Sequence, residues 1–249
     1  MSYNPFSLVG KTILVTGASS GIGQKTALEC SKLGAKLYIT GRNKERLNNT
    51  FTQLEGEGHV QILADLTNID DLDLLAKQLP VLHGIVLCAG IGYLKPFLFS
   101  TQDQYRKVFD VNFFAPTELL RILVKYKKIS KSASVVFVCS VGGTNYYSPG
   151  NSVYGTTKSA LNSIMKYCAV ELASKKIRVN SVNPGMIDTK MNTPEVLTEE
   201  HYLIDMQKYP LKRYGNVIDV ALGIVYLLSD ASSWITGHAL VIDGGLTIN

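Results

Sequence analysis

The chain has 249 residues, 46% hydrophobic and 18% charged, with a formal net charge of +5 at pH 7 and no Pro- or Ser-rich linker. That length suits one α/β domain over residues 1–249 with a substantial core. Its basic residues are spread along the chain with no aromatic-interleaved stripe, which argues against nucleic acid. No leader and no apolar run of about 18 residues appear, which argues against a membrane span and for a cytoplasmic protein.

Lys11–Thr16 reads as a compact apolar strand. It runs into Gly17-Ala18-Ser19-Ser20-Gly21-Ile22-Gly23 and then a helical run to Leu33 that Gly34 closes. Strand, glycine-rich turn and helix together bring backbone N–H groups and a helix N-terminus to a pyrophosphate. Gly17 permits the tight turn, Gly21 lets the backbone approach phosphates, and Gly23 lets the helix pack close to the strand. The second strand, Lys36–Thr40, ends in Gly41-Arg42-Asn43. An NAD site carries a ribose-binding carboxylate about twenty residues beyond the glycines; Gly41 holds that place here. Arg42 is either a solvated loop charge or a cation that pairs with a 2′-phosphate and lies over adenine. The second reading favours NADP(H), with NAD(H) as the alternative.

A helix over Lys44–Leu54 and a strand over His59–Ala64 lead to Asp65-Leu66. A helix over Ile69–Gln78 precedes the strand Gly84–Leu87, which ends in Cys88-Ala89-Gly90. One long helix is predicted over about Gln102–Tyr126, with Val108, Val111 and Leu119 facing the core. It contains Asn112, a poor helix former, which either bonds something or is an ordinary exposed residue. Lys125, Lys127, Lys128 and Lys131 read as a solvated helix end, with an acidic partner as the other reading. The strand Ser134–Cys139 delivers Ser140, and the strand Arg178–Val182 runs into Pro184-Gly185. Strands alternating with helices imply a doubly wound parallel sheet. Ligands sit at the C-terminal strand edge of such a sheet, where Gly17, Gly41, Gly90, Ser140 and Pro184-Gly185 all fall.

Tyr154 and Lys158 stand four apart on one helix face, fourteen residues beyond Ser140. The following run to Ser174 is helical, with Ala160, Leu161, Ile164, Met165, Cys168, Ala169 and Leu172 at three- and four-residue steps. A free phenol titrates near pH 10, so proton transfer near neutrality needs about 4 kcal/mol of phenolate stabilisation. One ammonium about 4 Å away supplies roughly that much at an effective dielectric near 20. The four cysteines, Cys30, Cys88, Cys139 and Cys168, lie far apart in apolar patterns and read as buried reduced thiols. His59, His83, His201 and His238 show no pairing for metal or triad chemistry, so no metal site is expected.

With these residues in place, Lys11 to Gly245 resembles the compact single-domain short-chain dehydrogenase/reductases, most closely the 3-oxoacyl-(acyl carrier protein) reductases. The resemblance implies a Rossmann fold. Thr16 to Gly23, with Ser19, Ser20 and Ile22, fits the cofactor loop; Asp65-Leu66 fits the adenine contact, and Ala89-Gly90 the loop after the fourth strand. Ser140, Tyr154 and Lys158 fit the catalytic triad, with Asn112 the fourth member. Asn183-Pro184-Gly185-Met186-Ile187-Asp188-Thr189 fits the loop that holds the nicotinamide amide. Ile235-Thr236-Gly237 and Val241 to Gly245 fit the last strand and its subunit contacts. By this likeness Tyr154 donates a proton to the substrate carbonyl oxygen while the nicotinamide delivers hydride. Lys158 stabilises the phenolate and bonds the nicotinamide ribose, Ser140 holds the carbonyl oxygen, and Asn112 positions a water on a proton path from Lys158. Three positions depart from the family pattern. Leu87-Cys88-Ala89-Gly90 stands where Asn-Asn-Ala-Gly is usual, so that Asn's hydrogen bonds must be replaced. Cys139-Ser140 stands for a double Ser, and Ser20 for a basic residue of many NADP-using members.

A 3-oxoacyl thioester is the expected substrate, with sugars, polyols and other small carbonyl compounds as alternatives and a non-catalytic cofactor-binding protein as the rival class. Lys131 and Lys175 match positions where those reductases grip an acidic carrier protein. The segment 190–214 is expected to be a substrate lid. Tyr93, Tyr146, Tyr147 and Met186 are pocket candidates or plain packing. Apolar residues on several sides of the helices Gln102–Tyr126 (Phe109, Phe113, Phe114) and Tyr154–Ser174 (Ile164, Met165, Tyr167) predict a homodimer or homotetramer.

Overall fold

Strands that carry apolar side chains on both faces need helices above and below. The computed structural model, which describes residues 3–188 and 199–248, has this arrangement. Its strands are β1 (Thr12–Thr16), β2 (Lys36–Gly41), β3 (Val60–Leu63), β4 (Leu82–Leu87), β5 (Ile129–Val138), β6 (Arg178–Pro184) and β7 (Ala239–Ile242). Among the described residues they form one parallel sheet in the order β3-β2-β1-β4-β5-β6-β7. The α-helices are α1 (Gly21–Lys32), α2 (Lys44–Phe51), α3 (Ile69–Gln78), α4 (Gln102–Phe109), α5 (Ala115–Lys125), α6 (Ser152–Leu172), α7 (Glu199–Met206) and α8 (Val217–Leu228).

Alternate residues of one strand serve opposite layers. Leu14, Leu87, Val135 and Phe137 pack with Leu75 of α3, Leu119 of α5, and Leu161 and Met165 of α6. Ile13, Val15, Val86 and Val136 pack with Ala27 of α1, Leu47 of α2, and Val220 and Ile224 of α8. Each such aliphatic side chain contributes about 1.5–3 kcal/mol when fully buried. The strand order reverses direction between β1 and β4, which opens a crevice beyond their C-terminal ends.

The long helix expected over Gln102–Tyr126 is interrupted. α4 ends at Phe109, a π turn covers Asp110–Phe114, and α5 begins at Ala115. Pro116 has no N–H to give to the carbonyl four residues back, that of Asn112, so the α ladder cannot run through this turn. Other ends shift by a few residues: β5 starts earlier than expected, and a 3₁₀ turn over Ala173–Lys175 closes α6. In the lysine cluster, Lys128 caps α3 by donating from Nζ to the Lys77 and Leu79 carbonyls at 3.2 and 2.5 Å. No helix among the described residues is long and apolar enough to cross a membrane.

Candidate active site

A cleft of about 1560 Å³ runs along the C-terminal edge of the sheet. Its dinucleotide arm is lined by Gly17, Ser19, Ser20, Gly21, Ile22 and Gly23 after β1, by Gly41 and Arg42 after β2, and by Asp65, Leu66, Ala89 and Gly90. Close packing explains the glycines. A Cβ at Gly17 (φ +66°) would stand 2.9 Å from the Ala89 backbone, and one at Gly23 only 2.4 Å from the Gly17 carbonyl oxygen. Ser20 caps α1 without a side-chain hydrogen bond. The first-turn N–H donors, which belong to cleft-lining residues, thus have no side-chain acceptor and suit an incoming phosphate. A Cβ at Gly41 would meet Ser19 Oγ at 3.2 Å, so a larger side chain there would require Ser19 to give by a few tenths of an ångström. The Asp65 carboxylate is turned into its own loop, accepting from Thr67 N–H at 3.0 Å and Thr67 Oγ1 at 2.8 Å. That backbone bond, with Thr67 Oγ1 and the charge of Arg42, holds the carboxyl below its usual range against the opposing effect of burial.

The catalytic candidates meet where this arm turns towards α6. Tyr154, Lys158 and Ser140 all line the cleft. Lys158 is 4% exposed, and its Nζ donates to the Val138 carbonyl at 2.9 Å and lies 5.6 Å from the centroid of the Tyr154 ring. The last residue of β5 thus holds the ammonium beside the phenol. Ser140 Oγ accepts from Gly142 N–H at 3.0 Å and donates to the Pro184 carbonyl at 3.5 Å. Asn112 is fully buried rather than cleft-facing. Its Oδ1 accepts from Ile91 N–H at 2.8 Å, and its Nδ2 donates to the Ile91 carbonyl at 3.0 Å and to Thr157 Oγ1 at 3.2 Å. A Cβ at Gly90 would be 3.2 Å from Asn112 Oδ1 and 3.5 Å from Lys158 Nζ, so glycine keeps the space between them open. Where Cys88 departs from the family pattern, Thr16 holds the loop. Its Oγ1 accepts from the N–H groups of Cys88 and Ala89 at 3.0 and 3.1 Å and donates to the Val86 carbonyl at 3.2 Å. Burial pushes the thiols of Cys88 and Cys139 up to about 11 and about 12, with the Lys158 charge pulling the other way.

Pro184, Gly185, Met186, Ile187 and Asp188 reach the cleft after β6, while Thr189 lies outside the described residues. Tyr93 and Tyr146 also line it. Tyr147 does not: it is 77% exposed and its hydroxyl donates to the carbonyls of Gly143 and Thr144. In a tight turn consecutive side chains diverge, and Tyr146 takes the cleft side. Of the expected lid, residues 190–198 lie outside the described part. The remainder brings Ile204, Asp205, Lys208, Tyr209 and Tyr214 to the cleft. Asp205 accepts from Lys208 Nζ and Tyr214 Oη, both at 2.7 Å. Burial works to raise its carboxyl, but those two bonds prevail and hold it below its ordinary range. Tyr209, Tyr214 and Leu246 belong to no motif and come together only through the fold. The same is true of Asn43, Arg46 and Asn49, which line the cleft beside Arg42. His59 and His83 serve as structural acceptors, taking the N–H groups of Leu37 and Thr12, each at 3.1 Å.

Comparison with known proteins agrees with this geometry. A family model described as enoyl-(acyl carrier protein) reductase matches residues 17–247. A tropinone reductase homolog of Arabidopsis thaliana is 34% identical over 253 residues, covering 98% of this chain and 95% of its own. A 3-oxoacyl-[acyl-carrier-protein] reductase of Thermotoga maritima is 34% identical over 247 residues, covering 97% and 99%. Among solved structures, a short-chain type dehydrogenase/reductase from Mycobacterium ulcerans superposes with a TM-score of 0.88 at 31% identity, covering 98% and 92%. With the sheet order, the glycine cradle and the Tyr154–Lys158 pair, these likenesses place the chain in the short-chain dehydrogenase/reductase family of carbonyl- and alcohol-converting enzymes.

Proposed function

We propose that this chain is an NADP(H)-dependent oxidoreductase that interconverts a ketone and a secondary alcohol. One observation carries the reading: Tyr154, Lys158 and Ser140 line the same cleft as the glycine-rich turn. A bound nicotinamide supplies the hydride. The Gly17–Gly23 turn and the first turn of α1 would receive the pyrophosphate, Asp65 and Leu66 the adenine, and Arg42 the 2′-phosphate. Lys158 would bond the ribose, and Pro184, Gly185, Ile187 and Thr189 the amide. In the reducing direction the Tyr154 hydroxyl gives its proton to the carbonyl oxygen as that oxygen gains charge. The Lys158 ammonium stabilises the phenolate left behind. The Ser140 bond to Pro184 is at the long limit, so its hydroxyl can be redirected to the substrate oxygen and hold it in place.

As substrate we place 3-oxoacyl thioesters first. Relatives bear that activity in name, and Leu94, 71% exposed, lines the cleft, with exposed Phe97 and Leu98 following it in the chain. A second reading, a small free ketone, is favoured by the two lysines expected to grip an acidic carrier. Lys131 lies nine residues before Ser140, about 30 Å back along β5. Lys175 follows the far end of α6, about 27 Å from Tyr154 along the helix. Both therefore sit at the sheet edge opposite their own cleft. We also propose self-association through α5 and α6, where Phe114, Tyr167 and Val170 are exposed by 55%, 64% and 78%. Light scattering that gave a monomer would remove that part.

The test is the loss of NADPH absorbance with a panel of 3-oxoacyl thioesters, simple ketones and sugars, wild type against Tyr154→Phe. Turnover of a carbonyl compound by the wild type and a loss of about 100-fold or more in the variant are expected. Undiminished turnover by Tyr154→Phe would refute the mechanism, and the panel separates the two substrate readings.

A further inference from the structure

The adenosine end of the cleft holds a second guanidinium that forms no ion pair among the described residues. Arg42 and Arg46 both line it, with Ser19, Ser20, Asn43 and Asn49. Neither arginine forms an ion pair among the described residues, whereas the nearby Lys25 is tied to Glu29 at 2.8 Å. Arg46 is fixed where it can act with Arg42. Asn43 is the N-cap of α2, and its Oδ1 accepts the Arg46 N–H at 2.9 Å. Arg46 is thus the third residue of the helix, and helical side chains lean back towards the N-terminus, here towards Arg42. The positive end of the α2 dipole adds to the same field.

Among the described residues no carboxylate pairs with either arginine: Glu45, in the first turn of α2, forms no ion pair with them, and Asp65 feels the charge of Arg42 only at a distance. Gly41 stands where a carboxylate would be, with Ser19 Oγ pressed against the space a side chain would need. Asp65 is held by Thr67. Two guanidiniums and a helix N-terminus repel one another unless an anion lies between them. A phosphate monoester with two negative charges matches a pair of planar donor forks better than a neutral hydroxyl does.

We propose that Arg46 is a second specificity-determining residue, closing with Arg42 on the 2′-phosphate of the adenosine ribose. The inference rests on the NADP(H) reading above and deepens it. It is tested by calorimetric titration of the wild type, Arg46→Gln and Arg46→Lys with 2′,5′-ADP and with 5′-AMP, which lacks the 2′-phosphate. Glutamine keeps helix propensity, and circular dichroism checks the fold. Hydrogen bonds to a charged group set the expected loss of 2′,5′-ADP affinity in Arg46→Gln at about 10- to 100-fold, with 5′-AMP moving less than about twofold. Arg46→Lys, which keeps the charge without the fork, should fall between. If the wild type prefers 2′,5′-ADP and Arg46→Gln keeps that preference within about twofold, this inference is overturned while the NADP(H) reading stands. Equal loss of both ligands also overturns it, because the change would then be general. If the wild type binds 5′-AMP as tightly as 2′,5′-ADP, the NADP(H) reading fails and takes the inference with it.

Discussion

Gly143 offers a direct way to move the catalytic elements apart. It lies three residues beyond Ser140 with φ +86°, and a Cβ there would come within 2.1 Å of the Gly155 carbonyl oxygen and 2.5 Å of its carbonyl carbon. Gly155 follows Tyr154 on α6, so the turn bearing Ser140 meets that helix backbone to backbone. No side-chain rotation can relieve the clash. Ordinary contact begins at 3.4 Å, so in Gly143→Ala the turn and helix must separate by more than an ångström. The left-handed backbone costs about 1–2 kcal/mol in a residue with a Cβ, and overpacking about 1–3 kcal/mol. The expected loss of unfolding free energy is therefore about 2–5 kcal/mol. A displacement of about 1 Å in a catalytic constellation costs about 100-fold in rate, while the dinucleotide arm on β1 and β2 is not touched. Gly143→Ala should thus lower kcat roughly 100-fold and leave the Kd of 2′,5′-ADP, which lacks the nicotinamide half that Lys158 would hold, within about twofold. Gly10→Ala is the control, since Gly10 has φ +78° but nothing within 4 Å of its Cβ position. It should lose only the backbone share, about 1–2 kcal/mol, with kcat unchanged. The reasoning is refuted if Gly143→Ala keeps kcat within about threefold, or if the two substitutions cost the same in a denaturant titration.

Asn112→Ala leaves the part-buried Ile91 N–H and carbonyl without their partner. Partial burial selects the lower part of the usual penalty, about 1–2 kcal/mol per unpaired group, so the two together should cost about 2–4 kcal/mol in urea; a loss below about 0.5 kcal/mol would show that the clamp is dispensable. The Cys88 thiol, pushed up to about 11 by burial, is only about one part in a thousand thiolate at pH 8, against about a quarter for an ordinary thiol. Iodoacetamide at that pH should therefore modify it at least about 100-fold more slowly than free cysteine, read by mass spectrometry. Asp219 is held below its ordinary range first by Arg213, at 2.7 Å, and then by the Asn216 N–H of the α8 capping box. A depressed carboxyl favours the fold only when ionised, so the contribution is full above about pH 4 and lost as pH falls through the folded value. Asp219→Asn should cost about 1 kcal/mol at pH 7, and that deficit should vanish towards pH 3; a deficit independent of pH would contradict the assignment.

Much of this could be read from the residues because the signals were local. The apolar runs that became β1, β4 and β6 each lead into a glycine-bearing turn, at Gly17, Gly90 and Gly185, and a parallel sheet follows from their alternation with helices. The Tyr154–Lys158 pair needs only a helix to bring its members to one face, and α6 supplies it. What the chain hid depends on partners distant in sequence. The π turn at Asp110–Phe114 was masked by continuous helical periodicity, although Pro116 marks where the ladder must break. Whether Tyr146 or Tyr147 faces the cleft depends on a turn with no period to read. Arg46 looked like any charge on a surface helix until β2 brought the start of α2 beside Ser19 and Ser20. Lys131 and Lys175 matched positions in the family likeness, but counting residues did not reveal that β5 and α6 carry them to the edge of the sheet away from their own cleft.

The candidate site is exact in its geometry because the sheet's hydrogen bonding continues past its last named residues. β5 and β6 pair up to Val138 and Val182. Beyond that, Cys139 N–H donates to the Val182 carbonyl at 2.9 Å and Val141 N–H to the Pro184 carbonyl at 3.0 Å. Ser140 is therefore gripped on both sides by the strand that ends in the proposed nicotinamide loop. A buried polar chain ties the third element in. Ser181 Oγ on β6 lies 2.6 Å from Asn162 Oδ1 on α6 and 3.0 Å from Asn183 Oδ1. Asn183 Nδ2 in turn donates to Thr144 Oγ1 at 3.4 Å, and Thr144 Oγ1 donates to the Ser140 carbonyl at 3.1 Å. Polar groups in an interior are costly unless every member is satisfied. A shift of α6 against β6 would break several of these bonds at once. The proposed proton donor on the helix, the Ser140 hydroxyl on the turn and the loop after β6 are thus held in one register, which is the fixed spacing that the proposed hydride and proton transfer to one carbonyl would require.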